Sequence, residues 1–173
     1  MSFSDNINIL SKLSARKVFN AAKVLGSYSV SKISGKARTE MNTLPISIAI
    51  EPTTSCNLRC PECPSGVRSF TRETGMLEEN FFKQTIDELS SHLLYLTFYF
   101  QGEPYLNPRF LEMVKYAVSK KIYTSTSTNA HYLDNENAKN TIESGLDRLI
   151  ISIDGATQET YEQYRIGGEL SKV

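Results

Sequence analysis

The alternation of apolar and polar positions divides most of the chain into short apolar runs separated by helical periods. Four runs predict strands, the second and fourth of them buried: ISIAI (46–50), LLYLTFYF (93–100), IYTSTSTN (122–129) and RLIISI (148–153). Apolar residues at helical spacing predict helices over 77–93, 107–121 and 135–145, and another from residue 156. Consecutive β-α-β units of this kind predict an α/β fold with parallel strands and right-handed crossovers.

Two helix boundaries have clear signals. Asn107 is the predicted cap of the second of these helices, with Pro108 at its first helical position. Gly145 is the predicted stop of the third helix.

The first 44 residues differ from the rest in composition and pattern. Residues 7–30 predict one amphipathic helix, with a Ser/Gly/Lys-rich linker after it through about residue 42. This segment has seven Lys or Arg and two acidic residues, which gives a formal net charge of +5. Residues 45–173 have a formal net charge of −5. We therefore divide the chain into domains at 1–44 and 45–173. A helix packed on the domain or on a partner is favoured; a basic membrane-surface helix and a transit peptide are the alternatives.

Composition narrows the class of protein. The chain has 173 residues, 40% of them hydrophobic, and a formal net charge of zero. One ordinary domain with a core is expected, and the totals give no reason to expect a nucleic-acid partner. No run approaches the ~20 apolar residues of a membrane span, and no secretory signal is recognisable. We expect a cytoplasmic protein, in which clustered cysteines more often bind metal than form disulfides.

All three cysteines lie in one loop directly after the first predicted strand. Cys56, Cys60 and Cys63 have the spacing C-x3-C-x2-C within EPTTSCNLRCPECPSG. Chemistry in parallel α/β folds sits in loops beyond the carboxyl ends of strands, and thiolates this close can converge on one metal centre. Three ligands are one short of a closed zinc or iron–sulfur site. His92 and His131 are conceivable fourth ligands, although neither belongs to a paired ligand motif.

Polar motifs also follow the other three predicted strands. FQGEP (100–104) ends the second, STSTNA (125–130) ends the third, and ISIDGATQETYEQYR (151–165) follows the fourth. Glycine at position 102 allows a backbone conformation closed to residues that have a Cβ atom, and brings backbone polar groups close to a ligand.

With these motifs in this order, residues 45–165 resemble the radical SAM superfamily, and the last motif resembles members with a C-terminal SPASM-type auxiliary iron–sulfur domain. The resemblance implies a partial (β/α) barrel, of which about four strands are present, so that the chain is expected to be the N-terminal part of a larger core. It implies a 4Fe-4S cluster held by Cys56, Cys60 and Cys63, with S-adenosyl-L-methionine bound to the fourth iron.

The resemblance also implies roles for six further residues in binding S-adenosylmethionine. The backbone at Gly102 and Glu103 would bind its amino group, and Ser127 and Asn129 would face its ribose. Ser152 closes the fourth strand, and Arg165 would pair with the carboxylate of the cofactor. The chain departs from the family pattern at Gln101, where glycine is usual, and at Glu62, where an aromatic residue is usual.

The function implied by the resemblance is a radical SAM enzyme. A reduced flavodoxin or ferredoxin would supply one electron, S-adenosylmethionine would be cleaved to a 5′-deoxyadenosyl radical, and that radical would take a hydrogen atom from a substrate. The substrate is unidentified, and a peptide rests on analogy with the SPASM-type members. A non-catalytic iron–sulfur protein and a zinc-binding interaction module are the alternatives.

Overall fold

The computed structural model describes residues 3–36 and 43–173. The end of the predicted linker, residues 37–42, lies outside the described residues. The strands are β1 (Ser47–Ala49), β2 (Tyr95–Thr97), β3 (Tyr123–Thr128) and β4 (Arg148–Ile151). The helices are α1 (Phe3–Ser11), α2 (Ala15–Ser34), α3 (Pro64–Val67), α4 (Glu79–Leu89), α5 (Phe110–Ser119), α6 (Asn135–Glu143) and α7 (Gln158–Tyr164). Pro104–Leu106 and Leu170–Lys172 form 3-10 turns.

The four strands form one parallel sheet in the order β1-β2-β3-β4. Ser47 pairs with Tyr95, and Tyr95 pairs in turn with Tyr123, so the three strands begin in register. The predicted α/β class with four parallel strands is confirmed. Because all strands run the same way, the loops that follow them meet at one edge of the sheet.

Aromatic rings join helices α4 and α5 to the sheet. Phe98 follows β2, and its ring centroid lies 5.5 Å from those of both Phe82 and Phe110. All three side chains are buried, as are Ile86 on α4 and Val114 on α5. The apolar spacing predicted both helices, and their packing on the sheet positions the loops that follow the strands.

The prediction that the fourth strand is buried is wrong. β4 pairs only with β3 among the described strands, and its residues are half-buried or exposed. Ile151 is 42% exposed and Ile153 beyond the strand is 53% exposed. The apolar run therefore marks an edge strand with one uncovered side.

The predicted start of α5 is also wrong, whereas the predicted end of α6 is confirmed. Helix α5 begins at Phe110 rather than Pro108, although the Asn107 side chain makes a contact of the kind expected of a cap. Its Nδ2 donates to the carbonyl of Pro52 at 2.7 Å and its Oδ1 accepts from the N–H of Arg109 at 2.9 Å. Gly145 follows α6 with φ of +76°, the left-handed conformation typical of a helix stop.

The amphipathic segment forms two helices, so the prediction of one helix is wrong. Helix α2 starts anew at Ala15, with the Ser14 hydroxyl accepting from the N–H of Lys17 at 3.3 Å. This cap satisfies a donor that a continuous helix would have paired with a carbonyl.

Both helices contact the end of the sheet opposite the site. Asn8 Nδ2 on α1 donates to Asp147 Oδ1 at 2.7 Å, and the Nζ of Lys12, the residue after α1, lies 3.0 Å from the same atom. From α2, Lys17 Nζ donates to the carbonyl of Lys121 at 2.5 Å. Burial, and then the charges of Lys12 and Lys121, lower the pKa of Lys17 to about 8.

Much of α2 beyond these contacts has exposed apolar side chains, among them Leu25, Tyr28 and Ile33. Contact of this helix with a partner or a membrane surface stays a prediction, as does the domain boundary at residue 44. Within the described residues, no helix combines the length and the apolarity needed to cross a membrane.

Candidate functional site

A cavity of about 190 Å³ lies beyond the carboxyl ends of the strands. Its lining includes all nine residues that the sequence and the resemblance singled out: Cys56, Cys60, Cys63, Gly102, Glu103, Ser127, Asn129, Ser152 and Arg165. They come from four separate segments between residues 56 and 165, so the fold brings together residues that are far apart in the sequence. Leu58, Tyr99 and Phe100 add apolar and aromatic surface to the lining. Glu62, by contrast, is exposed and lies outside it.

The cysteine loop closes onto the short helix α3. Cys63 is the residue before this helix, Pro64 is its first residue, and the N–H of Cys63 donates to the carbonyl of Cys60 at 3.2 Å. A Cβ atom on Gly66 would lie 2.3 Å from the Cys60 carbonyl oxygen, so glycine lets the helix pack directly on the loop. The loop geometry thus depends on local turns as well as on the cysteine spacing.

All three thiols are free, with Cys60 buried and the other two half-buried. Burial raises the pKa of both Cys56 and Cys60. The Arg165 guanidinium opposes this effect at Cys60, since Nη1 lies 3.8 Å from its Sγ. A positive group beside a thiol favours the thiolate, which is the form that binds metal.

The donor set fits an iron–sulfur cluster. Among residues 3–36 and 43–173, no three His, Cys, Asp or Glu side chains are arranged to hold a single metal ion. The three thiols instead share one cavity, and a cluster takes one cysteine thiolate at each iron that the protein ligates. Three cysteines leave one iron of a 4Fe-4S cluster open to another ligand.

Neither histidine is placed as a fourth ligand. His131 Nε2 accepts from the N–H of Glu169 at 2.8 Å, and its Nδ1 lies 3.0 Å from the carbonyl oxygen of Asn129. Both ring nitrogens are therefore engaged. His92 precedes β2, at the opposite end of the sheet, and its Nδ1 lies 2.7 Å from the Ser91 hydroxyl.

Gly102 sits where the loop after β2 passes over the loop after β1. Its φ is +80°, and an added Cβ would lie 2.0 Å from the carbonyl oxygen of Thr53. No other residue type fits this position without moving the backbone. The expectation of a special backbone conformation at this glycine is confirmed.

Glu103 is a buried carboxylate with several donors around it. It is 2% exposed and accepts from Thr128 Oγ1 at 2.7 Å, the N–H of Asn129 at 2.9 Å and the N–H of Tyr105 at 3.3 Å. The pKa of Glu103 is raised, because the effect of burial outweighs the lowering by these hydrogen bonds. Its side chain thus fastens the end of β3 to the loop after β2.

Polar groups at the ends of β3 and β4 face the same cavity. The hydroxyls of Ser127 and Ser152 lie 2.8 Å apart. Asn129 Nδ2 donates to Asn57 Oδ1 at 2.8 Å and lies 3.9 Å from Cys56 Sγ. Sequence reasoning missed Asn57, and its place inside the cysteine motif was the available signal.

Arg165 ends α7 and links the fourth loop to the first. Its Nε donates to Asp154 Oδ2 at 2.5 Å, and its other end reaches Cys60. The carboxylate of Asp154 holds the guanidinium over the cysteine loop, with its charge at the cavity wall.

Comparison with known proteins identifies the class to which this fold and site belong. The family model of the radical SAM superfamily matches residues 50–173. The chain belongs to the radical SAM superfamily. Enzymes of this superfamily use a 4Fe-4S cluster and S-adenosylmethionine.

Two enzymes are among the relatives of similar sequence. The AdoMet-dependent heme synthase of Methanosarcina barkeri is 32% identical over 125 residues, which cover 72% of this chain and 36% of that protein. The PqqA peptide cyclase of Bradyrhizobium diazoefficiens is 27% identical over 123 residues, covering 71% of this chain and 32% of the cyclase. The chain thus spans about a third of the length of the curated relatives it matches.

Among solved structures, BtrN in complex with AdoMet and 2-DOIA superposes with a TM-score of 0.59 at 22% identity. The match covers 76% of this chain and 55% of BtrN. At this identity the likeness shows a common fold.

Proposed function

We propose that this chain binds a 4Fe-4S cluster through Cys56, Cys60 and Cys63 and binds S-adenosylmethionine in the adjacent cavity, as part of a radical SAM enzyme. The observation that carries the proposal is the shared cavity, which three free thiols and six further polar or glycine positions line together. When bound, the cofactor pair supplies one-electron chemistry that ends in hydrogen-atom abstraction from a substrate.

The chain's own residues position the cofactors. Gly102 lines the cavity, and its lack of a side chain lets this loop lie directly against Thr53, so that a backbone carbonyl here would be placed to accept from an amino group. The hydroxyls of Ser127 and Ser152 and the carboxamide of Asn129 offer donors and acceptors to ribose hydroxyls. The Arg165 guanidinium suits a carboxylate, which it can bind in a two-pronged fashion.

The apolar part of the lining has a separate task. Leu58, Tyr99 and Phe100 face the cavity, and Leu58 is itself buried. Apolar walls exclude water from the space in which a reactive species would form, and so protect it from side reactions.

The experiment is anaerobic reconstitution with iron and sulfide, followed by dithionite and S-adenosylmethionine, with 5′-deoxyadenosine as the product measured. Iron uptake with product supports the proposal. A cluster without product favours a non-catalytic iron–sulfur protein, and stoichiometric zinc without iron uptake favours an interaction module.

Variants sharpen this experiment. Cys60→Ala removes a buried thiol and is expected to abolish both cluster binding and product. Ser69→Ala, an exposed hydroxyl in the segment after α3, is the matched control and is expected to keep both. A Cys60→Ala protein with a full cluster and undiminished cleavage would refute the ligand assignment.

For the substrate we propose a peptide, and for the reductant a flavodoxin or ferredoxin. The peptide rests on the PqqA peptide cyclase relative, while the heme synthase relative supports a tetrapyrrole as the competing class. The test is deuterium transfer to 5′-deoxyadenosine from perdeuterated cellular peptides or from a deuterated porphyrin. Label arriving only from the tetrapyrrole would overturn the peptide assignment.

A further inference from the structure

The side chain of Gln101 reaches the third cysteine of the loop. Gln101 Oε1 lies 3.4 Å from Cys63 Sγ and 3.2 Å from the hydroxyl of Ser65. The superfamily usually has glycine at this position, which has no side chain to make either contact. The contact depends on the glutamine side chain that this chain has at position 101.

Ser65 fixes the carboxamide in place. It is buried in α3, and its hydroxyl accepts from the N–H of Gly102 at 2.9 Å and donates to Gln101 Oε1 at 3.2 Å. The hydroxyl oxygen has two acceptor sites, so with the carboxamide turned round it can accept from the Gly102 N–H and from a Gln101 N–H together. Gln101 is thus held between a buried hydroxyl and Cys63.

The chemistry of a ligating cysteine sets the direction of the hydrogen bond. As a metal ligand, Cys63 is a thiolate and can only accept. A carboxamide has an oxygen on one side and two N–H donors on the other, and the two orientations occupy nearly the same space. The orientation with Nε2 toward Cys63 gives one N–H to the sulfur and the other to Ser65.

We infer that Gln101 is a positioning residue whose Nε2–H donates to the Cys63 thiolate and thereby raises the reduction potential of the cluster. The inference rests on the proposed function. A hydrogen bond to a ligating sulfur withdraws electron density from it, which favours the reduced, more negative cluster. The residue would make the first electron easier for a protein donor to deliver.

The test compares midpoint potentials of reconstituted proteins, followed by the EPR signal of the reduced cluster. Gln101→Gly restores the usual residue of the family, and Gln101→Glu keeps the size of the side chain but has no N–H. Both are expected to have more negative potentials at full iron loading, the Glu variant more so because it adds a negative charge. Gln84→Glu, on the exposed face of α4, adds the same charge far from the loop and is expected to leave the potential unchanged.

The outcomes separate this inference from the function it rests on. If the unmodified chain takes up no cluster, the proposed function fails, and the inference fails with it. If the unmodified chain is loaded and the Gln101 variants have its potential, only the inference is overturned. Failure of both Gln101 variants to take up iron would assign the residue to loop assembly and would overturn the tuning role as well.

Discussion

The carboxylate of Glu103 accepts a hydrogen bond from the backbone N–H of Asn129 at 2.9 Å. Glu103 follows β2 and Asn129 follows β3, so this bond joins two of the four loops that surround the cavity. The Thr128 hydroxyl donates to the same carboxylate. Glu103, whose backbone is expected to bind the amino group of the cofactor, thus also joins neighbouring strands through its side chain.

Glu103→Gln is expected to destabilise the protein. A carboxamide presents one oxygen and one NH₂ group where the carboxylate presented two oxygens, so the backbone N–H of either Asn129 or Tyr105 loses its acceptor and faces another donor. Loss of a buried hydrogen bond to a charged group costs about 1–3 kcal/mol, measurable by urea unfolding at neutral pH. Glu88→Gln, exposed on α4, is the control. Equal losses in the two variants would contradict the role of Glu103.

Gly102→Ala is expected to disrupt the site. Positive φ at a residue with a Cβ costs about 1–3 kcal/mol, and the Cβ would also meet the Thr53 carbonyl. We expect a lower melting temperature and reduced iron uptake, because Thr53 lies just before the cysteine loop. Gly75→Ala is the matched control, since nothing lies within 4 Å of its added Cβ. A Gly102→Ala protein as stable as that control would argue against the clash.

Lys17→Met is expected to remove a pH dependence of stability. The pKa of Lys17 falls from 10.5 to about 8 on folding. Below pH 8 both states hold the proton, and the folded state bears the cost of burying the charge. Between pH 8 and 10.5 the unfolded chain binds more protons than the folded one, so rising pH stabilises the fold.

The measurement is the free energy of unfolding of the unmodified protein minus that of Lys17→Met. This difference is expected to rise by roughly 3 kcal/mol across that pH range, since each pKa unit corresponds to about 1.4 kcal/mol. Other titrating groups are common to both proteins and cancel. Lys32→Met, exposed near the end of α2, serves as control. A difference that does not change with pH would show that Lys17 is not the group responsible.

Arg165→Lys is expected to weaken binding of S-adenosylmethionine to the cluster-loaded protein by about tenfold, or ~1.4 kcal/mol. Lysine keeps the charge but loses the planar fork that holds Asp154 while facing the cavity. The change in the EPR signal on titration with the cofactor gives the affinity. Arg109→Lys, an exposed arginine paired with Glu79 outside the cavity, is expected to bind normally. An unchanged affinity in Arg165→Lys would show that Arg165 does not bind the carboxylate of the cofactor.

Local patterns predicted the features that depend on neighbouring residues in the chain. The apolar runs located all four strands, and the C-x3-C-x2-C spacing located the cysteine loop after the first of them. Successive β-α-β units predict parallel strands, and the loops that follow parallel strands lie at the same edge of the sheet. Gly102 was singled out because a glycine after a strand marks unusual backbone geometry.

Other features depend on contacts that no local pattern contains. Asn107, just ahead of α5, donates to the carbonyl of Pro52, which lies 55 residues earlier. The amphipathic segment broke into two helices, and the second of them buries Lys17 against the carbonyl of Lys121. The apolar run of β4 predicted burial, but β4 has only β3 beside it among the described strands.

By itself, therefore, the sequence determined the order of strands and helices, the parallel sheet and the three clustered thiols, since these follow from periodicity and spacing along the chain. Only the tertiary structure decided that Glu103 ties two loops together and that Gln101 reaches Cys63. Side chains 38 positions apart, such as these last two, meet through space. The contact between them depends on how the intervening helices and strands pack.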